Sequence, residues 1–254
     1  MSGIRQEIQE ALKKIEQQQG VRILHAVESG SRAWGFASPD SDYDVRFIYV
    51  RPAGDYLRLD EMRDVIEWQM DEVLDINGWD LKKALRQFAR GNATLFEWST
   101  SPVVYKTTRQ WADIRQVSDT CFSEKAAVYH YYGTARNTYE EYLCGDLVSY
   151  KKYFYALRPL FAAIYIEQFH SIPPVAFAEL VQSVQKEELA PVIAELLERK
   201  KVTREKMMNP HMPQIRQFIE EELSRQKQIA DSLPDDHRND WTELNACFRR
   251  VIGI

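Results

Sequence analysis

The chain has 254 residues, 44% of them apolar, and carries 33 Lys and Arg against 38 Asp and Glu for a formal net charge of −5. That is enough chain for one large domain or two modest ones, and the acidic balance excludes a broadly basic nucleic-acid coat while leaving room for a local basic groove. No apolar run reaches the ~18 residues of a membrane span, and the polar first residues lack the apolar core of a signal peptide, so a cytoplasmic protein without membrane contact is expected. Cys121, Cys144 and Cys247 are odd in number and widely spaced, which fits reduced, buried thiols rather than a disulfide frame or a zinc site.

Ile4, Ile8, Leu12 and Ile15 recur at helical spacing, so residues 3–18 read as an amphipathic helix ended by Gly20. Residues 21–27 form an apolar run that reads as a buried strand. Gly30-Ser31 follows at once. A glycine there lets the backbone turn sharply and approach a ligand, and N–H groups at such a turn attract phosphate. Residues 31–36 read as a short helix and Pro39-Asp40-Ser41 as a turn. Asp42-x-Asp44 then heads a second β-rich run over 42–50. Residues i and i+2 of a strand share a face, so the two carboxylates stand side by side and repel unless a cation lies between them. Mg²⁺ or Mn²⁺ takes oxygen ligands of this kind, completed by substrate phosphates. An anion cradle and a metal pair this close together suit a metal-nucleoside triphosphate attacked at its α-phosphate. The structural alternative is a surface turn followed by a solvated acidic loop.

Residues 64–70 and 73–76 read as two strands about a tight turn at Asp71-Glu72, the second stopped by Asn77-Gly78. Asp80 can cap a helix lined by Leu81, Ala84, Leu85 and Phe88 and ended by Gly91-Asn92. Another helix spans 93–99 and stops before Pro102. Asp75 sits between Leu74 and Ile76 in an apolar strand, where an unpaired charge is costly, and that cost favours a metal or proton-transfer role. Asp80 is the competitor, although a helix cap explains it without chemistry.

After Val104 no strand signal of any length appears, and from Ser123 the pattern is wholly helical. Helices are expected over 123–144, 149–171, 176–185 and 189–200, then a long one to about 232 and a last one over 238–251. The composition shift near 110–122 places a domain boundary, with residues 1–115 as an α/β half and 116–254 as a helical half. The tyrosines from Tyr129 to Tyr155 suit helix packing, with one or two left for a nucleotide base. His25 reads as a core or edge residue of the first strand. Lys82, Lys83, Arg86 and Arg90 form a basic stripe that is either a solvated helix face or a track for an RNA backbone. Arg199-Lys200-Lys201 with Arg204 and Lys206 reads as a polar loop.

Gly30-Ser31 followed by Asp42-x-Asp44 resembles the signature of the DNA polymerase β-like nucleotidyltransferase superfamily. The longer form, Gly-Ser-Arg-Ala-Trp-Gly-Phe-Ala-Ser-Pro-Asp-Ser-Asp-Tyr-Asp, is similar to a narrower branch, the YcgL-like or RNA-ligase-associated (RlaP) nucleotidyltransferases. The stretches beginning at Leu74 and at Lys151 resemble the same family. The resemblance implies an α+β fold: a polymerase β-like nucleotidyltransferase domain with a small mixed sheet, followed by an all-helical C-terminal domain. It implies Asp42, Asp44 and a third carboxylate, best matched by Asp75, as metal ligands and catalytic groups. It implies Gly30, Ser31 and Arg32 as triphosphate contacts, with Lys151 and Lys152 of the helical half as further ones.

The expected activity is therefore metal-dependent transfer of a nucleoside monophosphate from an NTP to an acceptor hydroxyl, with pyrophosphate released. The family's name points to an RNA end, tRNA included, as acceptor. Two alternatives stay open: the same chemistry on a protein (AMPylation) or a small molecule, and an inactive nucleotide-binding sensor. The intact Asp42/Asp44 pair counts against the last.

Overall fold

The computed structural model describes residues 2–38, 41–70, 73–202 and 207–254. The chain divides into two compact units, residues 1–122 with 237–254, and residues 123–236. The sequence-based boundary at 115/116 falls seven residues short of this division, and the last helix belongs with the first unit rather than with the helical half.

The first unit is built on a five-stranded sheet. Its strands are β1 (Arg22–Glu28), β2 (Tyr43–Val50), β3 (Val65–Met70), β4 (Leu74–Asp80) and β5 (Val104–Thr107), in the order β3-β4-β2-β1-β5. Only β2 and β4 run parallel; the other three pairings are antiparallel. Helix α1 (Ser2–Gln19) carries Ile8, Leu12 and Ile15 into a core shared with Ile23, Val45, Phe47, Tyr49, Leu74 and Ile76. Each such side chain contributes roughly 1.5–3 kcal/mol when fully buried. Strand alternation turns Asp44 and Arg46 of β2, and Asp75 of β4, to the opposite face. Helices α2 (Gly30–Trp34), α3 (Leu81–Ala89), α4 (Ala93–Ser99) and α5 (Arg109–Ser118) complete the unit. The last helix, α11 (Thr242–Ile252), joins them: Arg22 donates to Val251 O at 3.4 Å, and the Phe248 ring meets Tyr56 at 5.0 Å.

Two expectations change here. Strand β4 does not stop at Asn77-Gly78 but continues to Asp80. The Phe47 ring lies over Gly78, where any Cβ would overlap it, so the glycine makes room for a ring and breaks nothing. Strand β5, beginning at Val104, beyond which no strand was expected, adds to β1 as a short edge strand. The turn assigned to Asp71-Glu72, and Pro39-Asp40 of the other turn, lie outside the described residues. His25 is a core residue as expected: it stacks on Trp111 at 4.6 Å, and burial pushes its imidazole down to about 4.

The second unit comprises α6 (Glu124–Tyr142), α7 (Tyr150–Phe169), α8 (Phe177–Val184), α9 (Ala190–Val202) and α10 (Pro213–Ser232). The two-residue strands β6 (Leu147–Val148) and β7 (Asn209–Pro210) pair antiparallel. Helix α7 is buried on nearly all sides and keeps Arg158 at 2% exposure, its guanidinium 5.6 Å from the Tyr131 ring. At the head of α6, Asp236 accepts from Ser123 Oγ at 2.5 Å and from Glu124 N at 2.6 Å. Residues 199–202 are the end of α9, not a loop, and Arg204 and Lys206 lie outside the described residues. Cys121 and Cys247 are buried thiols; Cys144 is exposed, contrary to expectation. Among the described residues, no helix is long and apolar enough to cross a membrane.

Candidate active site

The elbow begins where β1 ends. Ser29 N donates to Asp44 O at 2.8 Å, holding the turn against β2. Gly30 then adopts φ +59, in the left-handed region that favours glycine. The close approach matters more than the angle, because a Cβ at this position would overlap Asp44 Oδ2. The elbow is thus shaped to receive a carboxylate from the neighbouring strand. Ser31 is buried in the five-residue helix α2.

Behind the elbow lies a carboxyl that the sequence reading did not single out. Glu28 is 1% exposed. Its Oε1 accepts from Asp44 N at 2.7 Å, and its Oε2 accepts from the Tyr105 hydroxyl. Burial raises the carboxyl above its ordinary value, while the Tyr105 and Asp44 hydrogen bonds pull the other way. Burial and the Glu28 contact likewise raise the Tyr105 hydroxyl. Glu28 therefore fixes the backbone on which Asp44 stands.

In the parallel pairing of β2 with β4, Asp44 is the register partner of Asp75. The two carboxylates are neighbours across one rung of the sheet, and like charges so placed repel. Arg46 lies between them. Its Nη2 donates to Asp44 Oδ1 at 3.2 Å and to Asp75 Oδ2 at 2.7 Å. Its Nη1 donates to the backbone oxygens of Val45 at 3.0 Å and Asp75 at 3.1 Å. Asp75 Oδ1 is buried and accepts no hydrogen bond among the described residues. The sequence did carry a signal for Arg46, which stands two residues after Asp44 and so shares its face. Glu28 carried a weaker one, as a charged residue closing an apolar strand.

Asp42 is exposed and sits one residue ahead of β2 rather than inside it. Its backbone oxygen accepts from Arg32 Nε at 2.9 Å, and Arg32 Nη2 donates to Ser41 O at 2.5 Å. The Arg32 guanidinium also covers the Tyr43 ring at 3.7 Å. Arg32 thus clamps the segment that carries Asp42. Asp80 caps α3, accepting from Lys82 N and Tyr56 OH, both at 2.8 Å. Five residues of strand put it roughly 17 Å from Asp75, so it does not share this site.

Lys151 and Lys152 belong to the second unit, where the Lys152 ammonium lies 3.4 Å from the centre of the Tyr142 ring and burial lowers its pKa. Tyr129 and Tyr139 donate to Asp231 and Glu220 of α10, so these hydroxyls serve helix packing. The basic stripe on α3 lines a hollow of about 660 Å³ near Asp80. Lys83 of the stripe pairs with Asp64 at 3.0 Å, while Arg58 and Asp60 across the hollow pair with each other at 2.7 Å.

The donor set at Asp44 and Asp75 is hard oxygen, half-buried, with one oxygen that has no donor among the described residues and another lodged where Gly30 has no side chain. That chemistry fits a divalent cation such as Mg²⁺ or Mn²⁺. With this geometry in hand, the comparisons place the chain. Residues 4–250 match the RNA repair pathway DNA polymerase beta family, RlaP, and the protein belongs to that family. The uncharacterized protein YcgL of Bacillus subtilis (strain 168) is 44% identical over 251 residues, covering 98% of this chain and 96% of the relative. A crystal structure of a nucleotidyltransferase-like protein from Exiguobacterium sibiricum aligns with 96% of this chain and 79% of its own, at 12% identity and a TM-score of 0.32.

Proposed function

We propose that the protein is a metal-dependent nucleotidyltransferase that moves a nucleoside monophosphate from an NTP to an acceptor hydroxyl at an RNA end. The observation that supports this is the rung formed by Asp44 and Asp75 beside the Gly30 elbow. RNA as acceptor rests on the family, whose description ties it to RNA repair. Asp42, Asp44 and Asp75 would hold the metal. When bound, a divalent ion supplies charge neutralisation at the reacting phosphate and the leaving pyrophosphate. Gly30 and Ser31 orient the β- and γ-phosphates through the backbone of the elbow. Arg32 positions Asp42 through its hold on the preceding backbone. Lys151 and Lys152 are assigned to the triphosphate by resemblance alone.

In the reaction a bond forms between the acceptor oxygen and the α-phosphorus, and the bond from that phosphorus to the bridging oxygen of pyrophosphate breaks. Asp75 takes the acceptor's proton. Glu28 and Tyr105 keep the Asp44 backbone in place throughout.

The test is transfer of label from each α-labelled NTP with Mg²⁺ or Mn²⁺ to RNA, with a no-acceptor control. Asp44→Asn and Asp75→Asn should lower the rate at least 100-fold, about 2.7 kcal/mol or more of barrier, without lowering Tm. Wild-type rates in either variant would refute the assignment. Label on the protein itself would move the acceptor to the AMPylation alternative, and binding without transfer would favour a sensor.

A further inference from the structure

The register of β2 with β4 forces two carboxylates together whether or not a ligand is near. Such a pair needs a positive group, and the chain supplies one. A single nitrogen, Arg46 Nη2, meets both Asp44 Oδ1 and Asp75 Oδ2. The other terminal nitrogen is tied to two backbone oxygens, so the guanidinium is held on the rung rather than sampling solvent. The Arg46 side chain is 18% exposed against 32% for Asp44 and 29% for Asp75. The contact is thus better shielded from water than the surface ion pairs that contribute little. Among the described residues, the ion pairs set one guanidinium against these two carboxylates, and Asp75 Oδ1 accepts no hydrogen bond.

We propose that Arg46 is a resident cation of the candidate active site. It stabilises the Asp44/Asp75 rung and competes with a divalent ion for the same oxygens. It thereby keeps affinity for the bare ion low until a triphosphate, with its own negative charge, offers the guanidinium another partner. Arg46 is thus a positioning residue that couples metal binding to nucleotide binding. This rests on the reading of Asp44 and Asp75 as metal ligands given above.

Free Mn²⁺, followed by electron paramagnetic resonance, reads the competition directly. The full-length wild type, Arg46→Gln, Arg46→Lys and the double variant Arg46→Gln/Asp44→Asn are titrated with Mn²⁺, alone and with a non-hydrolysable NTP analogue. Arg46→Gln should bind Mn²⁺ alone about tenfold more tightly than wild type. Arg46→Lys, which keeps the charge, should stay near wild type. The gain should vanish in the double variant, and the difference between Arg46→Gln and wild type should shrink once the analogue is present. Melting in EDTA should place Arg46→Gln below wild type, with Mn²⁺ restoring more of its Tm than of the wild type's. Arg46→Gln binding bare Mn²⁺ no more tightly than wild type would overturn the inference, as would a gain that survives the loss of Asp44. Mn²⁺ binding with the analogue that is unchanged in both Asp44→Asn and Asp75→Asn would instead remove the metal-site reading itself, and this inference with it.

Discussion

Two glycines beside the same short helix separate conformation from contact. Gly30 and Gly35 both have positive φ, +59 and +85. An added Cβ at Gly35 meets nothing within 4 Å, whereas one at Gly30 overlaps the Asp44 carboxylate. Gly35→Ala should therefore cost only the left-handed strain of about 1–2 kcal/mol and leave transfer at the wild-type rate. Gly30→Ala should add to that strain a displaced Asp44 and lose transfer at least tenfold. Chemical denaturation and initial rates on the same two variants check this, and equal activity in both would mean that the elbow does not set the carboxylate. The residue scale is also where the sequence was most informative about the site. The Gly-Ser pair pointed to Gly30, the Asp42-x-Asp44 spacing to Asp42 and Asp44, and the apolar strand around it to Asp75. Of these, Gly30, Asp44 and Asp75 lie together, while Asp42 stands one residue ahead of β2. What could not be read was the traffic between them. Arg46 as counter-ion depends on the parallel register of two strands far apart in sequence, and Glu28 on a tyrosine 77 residues away.

At the scale of elements, the chief misreading concerns a glycine. Asn77-Gly78 is a common turn pair, yet β4 passes through it because Phe47 of β2 lays its ring over the bare backbone. Local propensity was right about glycine's freedom and blind to the ring across the sheet. Gly78→Ala should overpack that contact and destabilise the protein by about 1–3 kcal/mol, visible as a shift in the urea midpoint with an unchanged slope. A neutral result would mean that the ring moves freely. Strand β5 escaped notice for a similar reason. Four residues containing Lys106 carry little periodicity alone, and pairing to β1 makes the strand, with Lys106 neutralised by Glu16 at 2.6 Å. The long amphipathic helices, by contrast, announced themselves through their own spacing, so α1, α3, α4, α6, α7 and α10 lie close to where they were expected.

At the scale of the whole chain, an amphipathic helix reports that it has an apolar face but not what that face meets. Helix α11 was read as part of the helical half, yet Leu244, Cys247 and Val251 are buried in the first unit. Leu244 and Val251 each contribute roughly 1.5–3 kcal/mol, against a total stability of roughly 5–15 kcal/mol. A chain ending at Asp236 should therefore lose most of the first unit's stability. Hydrogen exchange should show β1 and β2 losing protection while α7 keeps it. Full protection of both strands would mean that the first unit folds without its last helix.

The clasp between Asp236 and the head of α6 has a consequence for ancestry. A segment whose two ends touch can be spliced into a host without stretching it. Residues 123–236 then interrupt the sequence of the first unit as a guest module between residues 1–122 and 237–254, and the first unit's α11 is translated only after the guest. On the ribosome, the unit that holds the aspartate rung must wait for residues 237–254 before it is complete.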